Sequence, residues 1–85
     1  MSENYSELDL KAIWSRGQLV LGYDPQLYRV DVLGSPIIWN QYGNRESIYG
    51  WEVDHIDPCK PAILSNLQPL QWQNNVAKSD KKLQY

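Results

Sequence analysis

Trp51-Glu52-Val53-Asp54-His55-Ile56-Asp57-Pro58 is a strand-like segment with an abrupt stop. It starts on an aromatic residue after Gly50, reads as a strand through Ile56, and stops at Asp57-Pro58. The residue before a proline and the missing proline N–H both disfavour extending a ladder. The chain's only His lies here, beside a carboxylate, within an otherwise apolar strand. Downstream, a loop from Cys59 to Asn66 leads to a second apolar run, Leu67 to Trp72. Pro69 inside that run predicts an edge strand or a bulge. From Gln73 to Leu83 the residues tolerate a helix, with Asn74 as candidate N-cap and Lys78, Lys81 and Lys82 toward the end where cations suit the dipole.

Working outward, Ser6 is a candidate N-cap for a short helix bearing Leu10, Ile13 and Trp14 at helical spacing and closed by Gly17. Leu27 to Val32 and Ile37 to Trp39, separated by Leu33-Gly34-Ser35-Pro36, read as a β-hairpin. The order is helix, hairpin, strand, loop, strand, helix. This predicts an α+β chain, one small domain over 1–85, with the helix and hairpin in 1–50 and a strand, strand and helix unit in 51–85.

The chain has 85 residues, one Cys and a net charge of −2. One Cys excludes an internal disulfide and a cysteine-built zinc site, the usual staples of domains this small. Trp14, Trp39, Trp51 and Trp72 with six Tyr carry all the aromatic mass. No run approaches the roughly 20 apolar residues that span a bilayer, and an acidic N-terminus is unlike a secretory signal, so a cytoplasmic location is expected. Charge is unevenly placed. Residues 1–59 carry four basic against nine acidic side chains, a balance of −5, whereas residues 60–85 carry four Lys against Asp80, a balance of +3. The basic end is where a polyanion would be tolerated.

A lone His in a strand is most often a half-buried residue satisfied by its neighbours. What raises His55 above that reading is the ordered set after it: Asn66 within Ser65-Asn66-Leu67-Gln68-Pro69-Leu70, then Asn75 and Lys78 within Asn74-Asn75-Val76-Ala77-Lys78-Ser79-Asp80-Lys81. Over about the last 35 residues this constellation resembles the HNH endonuclease family, whose ββα-metal motif is a strand with Asp-His, a loop with Asn, a second strand, and a helix with a last His or Asn.

The resemblance implies a DNA phosphodiesterase with His55 as general base, the imidazole being the side-chain type whose ordinary pKa, about 6.5, suits proton abstraction near neutrality. It implies Asp54 and Asn75 as ligands of one divalent cation. An all-oxygen pair suits Mg2+ or Mn2+. Asn66 matches the middle Asn that braces the loop and orients the His. Lys78, three residues after Asn75, shares its helix face and could reach a phosphate. Lys81 and Lys82 extend that basic end, where a solvated, dipole-matched helix terminus is the simpler account. One geometric requirement accompanies this reading: adjacent strand residues face opposite sides, so Asp54 and His55 need a twist or bulge at Asp57-Pro58 to share a site.

The chain departs from many family members at positions 71 and 74, where Gln71 and Asn74 replace a zinc-binding Cys pair, so no structural zinc is expected. Ser79 stands where some members carry another His. Cys59 reads as a small half-buried residue. Trp39, Trp51 and Trp72 read as core, while Tyr23, Tyr42 and Tyr49 lie in loops near Gly. Arg29 is expected to pair with Asp31, and Arg45 with Glu46. The competing class is a non-catalytic nucleic-acid or protein interaction module that keeps the ββα shape. A single DNA-reading module already buries roughly 600 to 1,000 Å². A homodimer, or a larger nuclease or packaging complex, would relieve that limit.

Overall fold

The computed structural model describes residues 5–78. Ser79, Lys81 and Lys82, and the helix expected beyond Lys78, lie outside the described residues. Among the described residues the chain is α+β, with two helices and two small antiparallel sheets. Helix α1 (Glu7–Trp14) is followed by β1 (Tyr28–Val30), β2 (Pro36–Ile38), β3 (Trp51–His55), β4 (Leu67–Gln71) and α2 (Trp72–Lys78). Short 3-10 turns at Trp39–Gln41 and Leu64–Asn66 precede the loop to β3 and the start of β4.

Ser6 caps α1 as its position predicts: its hydroxyl accepts from the Asp9 N–H at 3.1 Å. The helix turns Ile13 and Trp14 inward, and these join Ile37, Trp51 and Leu67 in the core, with Tyr5, Leu10, Trp39 and Val53 packed around them. Three indoles meet there at centroid separations of 5.2–5.8 Å. Their N–H groups need partners once buried. Trp14 donates to the Pro25 carbonyl, and Trp51 to that of Trp39. Trp72, expected in the core, is only half-buried; its indole donates to the Ser47 carbonyl and its ring lies under the Arg45 guanidinium.

The hairpin pairs Tyr28 with Ile38 and Val30 with Pro36, and its turn uses Gly34 at φ +84°. It is shorter than its apolar pattern, because Trp39 enters the 3-10 turn instead of extending β2. In the second sheet β3 and β4 pair without interruption from Trp51↔Gln71 to His55↔Leu67. Backbone bonds from Ile56 to Asn66 and from Trp72 to Gly50 bracket this ladder. By antiparallel alternation, Val53 and Pro69 then meet at a position without hydrogen bonds. The missing proline N–H therefore costs no ladder bond. Pro69 sits on an edge strand, as predicted, and no bulge is needed there.

Helix α2 begins at Trp72, two residues before the expected cap. The Gln71 side chain, not that of Asn74, receives a helix N–H, from Asn74 at 3.0 Å. Asn74 is engaged elsewhere, donating to Asp31 and to the Ser35 hydroxyl. Gly50 sets the entry to β3. A Cβ at this position would lie 1.9 Å from the Asn44 carbonyl oxygen, so the loop backbone must move to admit any side chain. Gly50→Ala is expected to destabilise the fold by about 2–3 kcal/mol, read as a lowered urea midpoint at unchanged slope.

Candidate functional site

The strand, strand and helix unit places the singled-out residues at one end of the second sheet. A cleft of about 310 Å³ is lined by Val53, Asp54, His55, Pro58, Lys60, Asn75 and Lys78. Asp54, His55, Asn75 and Lys78 are thus brought together. The ladder is regular through His55 and ends before Asp57-Pro58, where the distortion was expected, so Asp54 and His55 are neighbours in a regular strand. The cleft instead takes in the successive residues Val53, Asp54 and His55, and so runs around the end of the strand rather than along one face. His55 can border it because it is the last strand residue, after which the chain turns away.

Glu52 and Asp54, two apart on β3, share the sheet face that meets α2. Asp54 is 5% exposed, and both of its oxygens are used: Oδ1 accepts from Lys78 Nζ at 2.7 Å and Oδ2 from Gln68 Nε2 at 3.0 Å. Lys78 is not on a solvated face. Its side chain is 1% exposed, and its ammonium donates to Asp54 and to the His55 carbonyl. In this arrangement it presents no charge to a phosphate outside the cleft.

Asn75 Nδ2 donates to Glu52 Oε1 at 2.9 Å. This turns the opposite end of the amide, the carbonyl oxygen, away from Glu52 and makes it the donor atom that Asn75 can offer a cation. Glu52 is held in turn by Arg45, through contacts of 2.6 and 2.9 Å. Arg45 thus reaches across the sheet edge and not to the adjacent Glu46. Similarly, Arg29 donates to the carbonyls of Ser15, Gly17 and Pro25, while the Asp31 oxygens take backbone and amide donors. The two residues expected to pair by sheet alternation have separate jobs.

The Arg45 hydrogen bonds hold the Glu52 carboxyl below the usual carboxylate range; burial opposes them, and the Asn75 amide and the Arg45 charge reinforce them. A folded-state pKa below the unfolded one stabilises the fold at pH above the unfolded value, and the contribution disappears as pH falls through the folded value. The thermal midpoint advantage of the parent over Glu52→Gln is therefore expected at neutral pH and should shrink as pH drops below about 4. A constant difference across that range would contradict the coupling to Arg45.

Asn66 does not line the cleft. It is 8% exposed and ties the loop after β3 together: Oδ1 accepts the Asp57 N–H, Nδ2 donates to the carbonyls of Asp57, Lys60 and Pro61, and the main-chain oxygen accepts from Ile56. This is a bracing role for the segment that follows His55 and carries Pro58 and Lys60 to the cleft. Cys59, expected to be half-buried, is exposed on the same loop, because the loop's interior is filled by the Asn66 amide.

Sequence reading missed Gln68, Glu52 and Arg45 as parts of this arrangement. Gln68 could have been found: it stands directly opposite Asp54 in the register, and cross-strand partners on one face touch. Arg45 lies in an irregular loop and carried no such signal. Among the described residues, no group of three or more His, Cys, Asp or Glu side chains is assembled as a metal cluster, and no helix is long and apolar enough to cross a membrane. Comparison with models of protein families, with curated proteins and with solved structures finds no match to this chain.

Proposed function

We propose that this chain is a metal-dependent endonuclease of the HNH type, with a ββα-metal motif formed by β3, β4 and α2, that hydrolyses DNA phosphodiester bonds. The observation that carries the reading is the convergence of Asp54, His55, Asn75 and Lys78 on one open cleft by a strand, strand and helix unit, with Asn66 clasping the loop between the strands.

The donor set suits a hard divalent cation. Asp54 Oδ1, the His55 carbonyl and the Asn75 amide oxygen are all oxygens, as Mg2+ and Mn2+ prefer, provided the Lys78 ammonium gives way. When bound, such an ion supplies Lewis-acid polarisation of the phosphate and charge stabilisation at the leaving oxygen. The remaining steps fall to the chain itself. His55 accepts a proton from the water that attacks phosphorus; the bond from phosphorus to the 3′ oxygen breaks, and that oxygen leaves to be protonated. Asn66 is a positioning residue: it fixes the turn that ends β3 at the base. Glu52 and Arg45 orient the Asn75 amide. Lys60, and beyond the described residues Lys81 and Lys82, provide positive charge for the nucleic-acid backbone, and Lys78 joins them only once its ammonium has given way.

DNA is thus the partner, held through phosphate contacts, with base selection left to a second copy or to a larger nuclease assembly. The test is nicking of supercoiled plasmid by purified protein in Mg2+ or Mn2+. Conversion to the relaxed form that ceases in EDTA is expected. Absence of nicking by folded protein with either metal would remove the proposal and leave the interaction module.

A further inference from the structure

Lys78 occupies a place no sequence argument gave it. Its ammonium is withdrawn from solvent and seated on Asp54 Oδ1 and the carbonyl of His55, with Gln68 covering the other carboxylate oxygen. Those oxygens are the ones a divalent cation would use. An ammonium and a dication that share one carboxylate oxygen lie within a few ångströms of each other, and at a carboxylate as buried as Asp54 such like charges strongly exclude one another. The neighbouring charges do not change this: Lys60 adds a second cation to the cleft lining, and Glu52, outside that lining, is paired with Arg45.

We infer that Lys78 is a tethered cation in direct competition with the divalent ion for Asp54, so that metal binding ejects the ammonium from its buried seat. The inference rests on the endonuclease reading for its expectation of a divalent ion. It adds an exchange: one cation leaves the carboxylate as the other arrives. A buried carboxylate is costly unless compensated, and Lys78 supplies the compensation in the metal-free chain. Its flexible four-carbon stem lets the charge move without moving α2. Once displaced, the ammonium is released toward the mouth of the same cleft, where a scissile phosphate would lie. Metal entry and presentation of a phosphate-binding charge would then be a single event.

Two measurements test this without using cleavage. Amine acylation of the wild-type protein, followed by mass spectrometry, should show Lys78 protected in EDTA and modified about tenfold faster in saturating Mn2+, while the exposed Lys11 is unaffected. Titration with Mn2+ alone, followed by electron paramagnetic resonance, should show Lys78→Met binding about tenfold or more tightly than wild type, and the gain should vanish in the Asp54→Asn/Lys78→Met double variant. Unchanged Lys78 labelling under saturating Mn2+, equal affinity in Lys78→Met, or no Mn2+ binding by either protein would each overturn the inference. Should Lys78→Met fail to fold, labelling of the wild type decides alone. The two proposals also fail separately. Metal-dependent release of Lys78 without nicking would remove only the nuclease reading, and nicking with Lys78 still protected would remove only the exchange.

Discussion

Asp31→Ala is expected to lower the unfolding free energy by about 3–5 kcal/mol. Asp31 is fully buried and accepts four hydrogen bonds: Oδ1 from the N–H groups of Leu33 and Ser35 at 3.0 and 2.9 Å, Oδ2 from the Gln71 N–H at 3.0 Å and Asn74 Nδ2 at 2.9 Å. One oxygen closes the β1–β2 turn. The other satisfies the outward-facing N–H of the last β4 residue, which the ladder with β3 leaves unpaired, and fixes the first turn of α2. Removing the carboxylate strands buried donors on two elements at once, each costing roughly 1–3 kcal/mol. Asp31→Asn keeps the volume but turns an amide toward donors on one side, so it should recover only part of the loss. For a domain of this size the alanine variant should melt about 15 °C or more below the parent. A fall of under about 1 kcal/mol in urea denaturation would show that the carboxylate does not carry the junction between hairpin and helix.

His55→Ala is expected to reduce metal-dependent nicking by about 10²–10⁴-fold, the span that general-base removal commands. The variant should fold. His55 is half-buried at the end of a strand, and the structural duties at that point belong to its main chain, whose carbonyl takes the Lys78 ammonium, and to Asn66, which braces the following loop. An unchanged melting temperature with lost nicking separates a chemical role from a structural one. A loss of activity that merely tracks a loss of folded protein would argue for the bland reading of a strand histidine.

How much of this was legible in the sequence depends on the range of the interactions. Local signals served well. Ser6 caps α1, Gly34 turns the hairpin, Asp57-Pro58 ends β3, and Pro69 lies on an edge strand. The family resemblance implied that Asp54, His55, Asn75 and Lys78 would share a site, and they line one cleft because an antiparallel pair followed at once by a helix folds its ends back on one another. What escaped were side chains whose partners lie far along the chain. Asp31 looked like a surface strand residue pairing with Arg29, yet its carboxylate is claimed by groups 40 and 43 positions away. Asn74 looked like a helix cap and was taken by that same carboxylate. Lys78 read as a cation free to reach a phosphate, since nothing local shows that α2 lies close enough to β3 to bury an ammonium against Asp54. Such placements follow from how elements pack, and propensity does not report it.

Hydrolysis at the Asp54 and His55 cleft is tested by a side-by-side time course of supercoiled plasmid with wild type and His55→Ala, purified identically and shown to be folded, in Mn2+. Relaxed circles are expected to accumulate with the wild type alone. DNA retained by both proteins but cut by neither, or cut equally by both, would contradict this.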